Sequence, residues 1–145
     1  MKKVLILGGG TAGTMAANKL SKALSPADWS VTVIDVDDNH RYQPGFLFLP
    51  FGTYKPAQVT KSRRKYLSKG VSLVYGEIDK VEPDENVVLL TDGRRFDYDM
   101  LIIATGVTPR PDQTPGMLDG DEWGKSVHEF YSYEGSVALA EALKT

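Results

Sequence analysis

Six consecutive residues near the start of the chain, Gly8-Gly9-Gly10-Thr11-Ala12-Gly13, carry the spacing G-x-G-x-x-G. An apolar run, Val4-Leu5-Ile6-Leu7, precedes them, and from Thr11 to Leu24 the residues Ala12, Met15, Ala16, Leu20 and Leu24 recur at helical spacing. A strand that breaks into a glycine turn and then a helix is suited to phosphate chemistry. Gly8 permits the tight turn, Gly10 lets the backbone approach a pyrophosphate, and Gly13 lets the helix pack closely on the strand. The free N–H groups and the positive end of the helix dipole then hold the phosphates, with Thr11 and Ala12 in that first turn.

Asp35 ends a second β-branched run, Val31-Thr32-Val33-Ile34, and lies 22 residues after Gly13. An acidic side chain there accepts hydrogen bonds from an adenosine ribose and repels a 2′-phosphate, which speaks against NADP. Asp37 and Asp38 are near enough to compete for part of that role. The turn and the acid alone do not separate FAD from NAD, because both dinucleotides present the same ADP half.

The elements needed to hold these residues are legible from the same patterns. Residues 4–35 read as a βαβ unit. Asp37 to Pro56 reads as a long loop with Pro44, Gly45, Pro50 and Gly52, interleaved with Phe46, Leu47, Phe48, Leu49 and Phe51. That loop is expected either to pack on its own domain or to cover a flavin or quinone. A polar helix is expected around Val59 to Lys69, with the basic run Lys61, Arg63, Arg64 and Lys65 either on its solvated face or meeting an anionic partner. Val71 to Tyr75 follows as a strand. Ile78–Glu82, Val87–Leu90 and Arg95–Tyr98 then form an antiparallel meander with turns at Pro83-Asp84 and Asp92-Gly93. Met100 to Ala104 is a further buried strand, Thr108 to Trp123 a linker, and Gly135 to Leu143 a last helix. The fold class expected is α/β: a Rossmann-like domain with a central parallel sheet and a three-stranded antiparallel meander. The domain is drawn over residues 1–110, with a linker and helix over 111–145.

The meander, followed by Tyr98-Asp99-Met100-Leu101-Ile102-Ile103-Ala104-Thr105-Gly106, resembles the second FAD signature of the glutathione-reductase-like flavoproteins. The resemblance implies FAD as cofactor, with the small residues Ala104, Thr105 and Gly106 against its pyrophosphate and ribityl region and the backbone of Ile78 against the adenine. Arg41-Tyr42-Gln43-Pro44-Gly45 and His128-Glu129-Phe130-Tyr131-Ser132-Tyr133-Glu134-Gly135 narrow the resemblance to the sulfide:quinone oxidoreductases and the type II NADH dehydrogenases. It implies Pro44 as a further cofactor contact and, for the full-length enzyme, quinone and sulfide (or NADH) as partners. In that group a cysteine thiolate takes up the sulfide sulfur. This chain has no cysteine, so no catalytic residue is assigned within it. The competing expectations are a type II NADH:quinone oxidoreductase and a non-catalytic nucleotide-binding or interaction module.

The bulk numbers set outer bounds. With 145 residues, 41% of them hydrophobic, the chain suffices for one sizeable core, and a net charge of −2 argues against nucleic acid as a partner. Without cysteine there is no disulfide and no thiolate metal site. His40 and His128 have no partners at metal or triad spacing and are expected in surface or structural roles. The amino-terminal apolar run is too short for a signal peptide. A cytoplasmic protein is expected, peripheral on the inner face of the membrane if the full-length form contacts it through a carboxy-terminal part. The chain is further expected to be a fragment of a longer protein, inactive alone and prone to self-association.

Overall fold

The computed structural model describes residues 1–144. They group into two compact units, one made of Met1–His40 and Ser62–Gly106, the other of Arg41–Lys61 and the described residues from Val107 onward.

The first unit is built on β1 (Lys2–Leu7), which is flanked by β2 (Trp29–Asp35) on one side. Between them in sequence lies α1 (Thr11–Ala23). A two-stranded ribbon, β3 (Asn39–Arg41) and β4 (Thr60–Ser62), brackets the excursion of the chain into the second unit, where α2 (Pro56–Val59) is a single turn. Then come β5 (Val71–Tyr75), the meander β6 (Ile78–Glu82), β7 (Val87–Leu90) and β8 (Arg95–Asp97), and β9 (Met100–Ile103). The main sheet is parallel throughout, in the order β5-β2-β1-β9, with Leu7 opposite Ile34 and Ile103. The α/β class, the parallel sheet and the three-stranded meander all stand as the sequence pattern implies.

Val4 to Leu7 are fully buried because β1 is covered on both faces, and the alternation of a strand decides which residue goes where. Val4 and Ile6 join Ala17 of α1 with Val31, Val33 and Val71. Leu5 and Leu7 point the other way, into Ile34 and the meander residues Val88 and Leu90. The meander turns at the positions that carry positive φ, Asn86 (53°) and Gly93 (86°).

The helix expected over Val59 to Lys69 does not form. Val59 closes α2, Thr60–Ser62 is strand, and Arg63–Tyr66 is a short 3-10 turn. Val59, Arg63 and Leu67 are all buried, and their four-residue spacing imitates one face of a helix. The chain instead meets its backbone hydrogen bonds through pairing with β3, so tertiary pairing overrides local periodicity. The expectation of a solvated basic face is likewise corrected at Arg63, which is interior, while Lys61 and Lys65 are exposed.

In the second unit, Phe46 and Leu49 of the apolar loop pack with Val59 against Tyr133 and Val137 of α3 (Tyr133–Ala142). Ser132 caps α3 by accepting from the Gly135 N–H at 2.9 Å. The apolar loop therefore divides: Phe46 and Leu49 turn inward, while Leu47, Phe48 and Phe51 stay exposed. No helix among the described residues is long and apolar enough to cross a membrane.

Candidate nucleotide-binding site

The glycine turn connects β1 to α1, and the protein's own atoms explain two of its glycines. Gly8 has φ +89°, and its N–H donates to the Ile34 carbonyl at 2.8 Å while the Ala104 N–H donates to the Leu7 carbonyl at 2.7 Å. A Cβ on Gly8 would lie 2.4 Å from the Ala104 carbonyl oxygen, and one on Gly13 would lie 1.8 Å from the Gly8 carbonyl oxygen. Gly10 differs. A Cβ there would meet no protein atom within 4 Å. Its backbone conformation, φ −66° and ψ −163°, is open to any residue. Gly10 caps α1 with no side-chain hydrogen bond, and the first turn holds no acidic residue, so the positive helix end keeps its attraction for an anion. Thr11 and Ala12 are exposed in that turn. The open cradle at Gly10, beside two positions closed by backbone, fits a pyrophosphate.

Asp35 lies beside this turn. Its Oδ2 accepts from the Gly9 N–H at 2.6 Å, and its Oδ1 accepts from the Val36 N–H at 2.7 Å. The side chain is 16% exposed and forms an ion pair at 2.8 Å with Arg63, itself only 5% exposed. Removing one partner of such a buried pair leaves an uncompensated charge, at a cost of about 3–5 kcal/mol. Arg63 is the site residue that the sequence pattern hid within a basic run. The available signal was its register: it occupies the inward position between Val59 and Leu67.

The rivals of Asp35 are engaged elsewhere. Asp37 accepts from the Asn39 backbone N–H and side-chain amide, at 2.7 and 2.9 Å. Asp38 accepts from the Tyr75 hydroxyl at 2.7 Å. Hydrogen bonds from Ser62 and then Tyr75 hold the Asp38 carboxyl below the usual carboxylate range, and the same contact pushes the Tyr75 phenol up.

Of the other expected contacts, Ala104 and Thr105 lie against Gly8, and Gly106 follows them at φ +80° with open space where a Cβ would stand. Ile78 opens β6 and packs with Leu5, Leu7 and Ile34, just after Gly76, whose N–H donates to the Asp35 carbonyl at 2.9 Å. The first unit thus gathers Gly8, Gly10, Thr11, Ala12, Gly13, Asp35, Ile78, Ala104, Thr105 and Gly106. Pro44 belongs to the second unit, where it lines an apolar cavity of about 430 Å³ with Leu47, Phe48, Phe130 and Tyr131. His40 Nδ1 lies 3.4 Å from the Gly9 carbonyl oxygen and its ring tilts against Tyr66, while His128 Nε2 lies 2.9 Å from the Lys125 carbonyl oxygen.

Similarity to known proteins gives the family. The family model for pyridine nucleotide-disulphide oxidoreductases matches residues 2–139. The chain belongs to this family. Mitochondrial sulfide:quinone oxidoreductase of Dictyostelium discoideum is 29% identical over 145 residues, 99% of this chain and 31% of that protein. Type II NADH:quinone oxidoreductase of Staphylococcus aureus is 32% identical over 120 residues, 81% of this chain and 29% of that protein. Among solved structures, the sulfide:quinone oxidoreductase of Aquifex aeolicus superposes with a TM-score of 0.77 at 22% identity, over 99% of this chain and 32% of that one. The chain spans about a third of the length of these proteins. The family resemblance seen in the motifs is borne out.

Two outcomes test the site as a physical object. Gly8→Ala is expected to lower unfolding stability by about 1–3 kcal/mol in a urea titration, because strain and overlap coincide there. Gly10→Ala should cost less than about 1 kcal/mol, the ordinary loss of an alanine at a helix cap. Equal losses at both would contradict the open cradle. Separately, Tyr75→Phe removes one hydroxyl from Asp38 and should raise that carboxyl toward its ordinary value in an NMR titration. A depressed carboxyl stabilises the fold above its unfolded pKa and loses that contribution as pH falls through the folded one, so in the variant the loss, starting at the same unfolded value, should be smaller and complete at a higher pH. An unchanged Asp38 titration would show that the Tyr75 contact does not matter.

Proposed function

We propose that these residues form the FAD-binding portion of a flavoprotein oxidoreductase that passes electrons to a quinone, with sulfide as the donor in the full-length enzyme. The observation that carries this reading is the open cradle at Gly10. It lies at the uncompensated positive end of α1, between two glycines closed by backbone, with Asp35 beside it. The exposed Thr105 and Gly106, following Ala104 and lying after β9, add small residues along the same edge of the sheet. FAD, when bound, supplies the two-electron chemistry. The chain's own contribution is to bind and orient it: helix-end N–H groups for the phosphates, Asp35 for the ribose, and backbone near Ile78 for the adenine. There is no cysteine, so these residues are read as holding the flavin and not as carrying sulfur.

The sulfide reading is supported by the D. discoideum relative, which matches across nearly the whole chain. A second reading, with NADH as donor, is supported by the S. aureus relative, which is 32% identical over a shorter stretch. Both relatives are named as quinone oxidoreductases, and because quinones dissolve in membranes we include peripheral contact with a membrane face in the proposal for the full-length protein.

The direct test is to mix the purified chain with excess FAD, desalt it, and record the visible spectrum. Oxidised-flavin bands that co-elute with the protein, and that weaken at least about tenfold in Gly10→Val, are the expected result. A folded chain that stays colourless and shows no calorimetric signal with FAD would overturn the assignment. In the full-length protein, anaerobic bleaching of those bands by sulfide and not by NADH would decide between the two donors.

A further inference from the structure

Arg63 does more than neutralise a charge, because its guanidinium fastens the last residue of β2, the first of β3 and one in the connection between them. Nη1 lies 2.8 Å from Asp35 Oδ2, Nε donates to the Asp37 carbonyl at 3.1 Å, and Nη2 donates to the Asn39 carbonyl at 2.9 Å. Nη2 also lies 3.5 Å from the Asp37 carboxylate. The Arg63 backbone N–H donates to the Asp38 carbonyl at 2.6 Å, so the residue is anchored at both ends. The rigid fork of an arginine can hold all these acceptors together, which the single point charge of a lysine cannot.

We infer that Arg63 is a positioning residue for ribose recognition: it fixes the Asp35 carboxylate in the one orientation that leaves an acceptor for an adenosine hydroxyl. The inference rests on the dinucleotide reading of this site. Each carboxylate oxygen has two lone-pair directions. Oδ2 accepts from the Gly9 N–H and stands against the Arg63 guanidinium in an ion pair. Oδ1 accepts from the Val36 N–H and keeps one direction for a ligand hydroxyl. The arginine side chain is only 5% exposed and is turned to Asp35 and to the carbonyls of Asp37 and Asn39, so a 2′-phosphate would face the carboxylate instead. The pair therefore selects an unphosphorylated ribose, and it does so through Arg63 as much as through Asp35.

A Cβ on Gly9 would lie 2.7 Å from Arg63 Cδ and 2.9 Å from Nη1. This gives a second way to disturb the arginine without altering either member of the pair. ADP and 2′-deoxy-ADP share adenine and both phosphates, so the ratio of their affinities isolates the hydroxyl. A merely structural role for Arg63 would weaken both ligands alike and leave the ratio unmoved.

The experiment is calorimetric titration of the whole chain with ADP, 2′-deoxy-ADP and the 2′-phosphorylated form of ADP. The unmodified chain is expected to prefer ADP over the deoxy ligand by about tenfold or more, as for a hydrogen bond to a charged acceptor, and to reject the 2′-phosphate by at least as much. Arg63→Met and Gly9→Ala should each bring the ADP to 2′-deoxy-ADP ratio below about threefold. A folded variant of either kind that keeps the tenfold preference overturns the inference, and so does an unmodified chain that binds ADP but treats all three ligands alike. An unmodified chain that binds none of them overturns the dinucleotide reading itself, a distinguishable failure.

Discussion

A Cβ at Gly13 would stand 1.8 Å from the Gly8 carbonyl oxygen, and this near-contact is the constraint on which the rest of the first unit depends. It draws the start of α1 onto the end of β1, which lets Ala17 reach Val4 and Ile6 and bury one face of the sheet. The first N–H groups of α1, which lack partners within the helix, stand next to the bare backbone of its cap, Gly10. Packing and anion affinity thus follow from the same geometry. The fold cannot have the first without creating the second, because a strand, a glycine turn and a helix arranged this way leave a positive helix end uncovered.

Charge balance around the turn is local. Asp35 would be a costly half-buried anion were it not held by Gly9 and Arg63, and Arg63 would be a costly buried cation without Asp35 and the carbonyls of Asp37 and Asn39. Each group is tolerable only because the other is present. Tyr75 and Ser62 do a similar service for Asp38 at the exit of β5, so the acidic segment after β2 is stitched to the strand beside it instead of extending into solvent.

Much of this was legible in the sequence because two periodicities are hard to confuse when they are long. Val4 to Leu7, the helical spacing from Ala12 to Leu24, and the alternating meander residues each place an element that the structure contains. The glycine spacing and Asp35 located the turn and the acid beside it. Reading failed where a short segment gave an ambiguous period. Val59, Arg63 and Leu67 are spaced like a helix face, yet they belong to a helical turn, a 3-10 turn and the loop after it. Burial of Arg63 was illegible for a related reason: its partners, Asp35, Asp37 and Asn39, lie more than 20 residues earlier, and a charge surrounded by other charges looks solvated. The grouping of Arg41–Lys61 with the residues from Val107 onward was hidden too, since it depends on packing between segments far apart in the chain, such as Phe46 with Tyr133.

If the first turn of α1 and Asp35 together receive the ADP half of a dinucleotide, the ligand must perturb the backbone at both. Mapping the backbone amide shifts of the isotope-labelled chain during titration with ADP tests it most directly. Saturable shifts are expected at Gly9, Gly10, Thr11, Ala12 and Val36, with small changes along the meander strands β7 and β8. Saturable shifts that spare the glycine turn and gather elsewhere would contradict it.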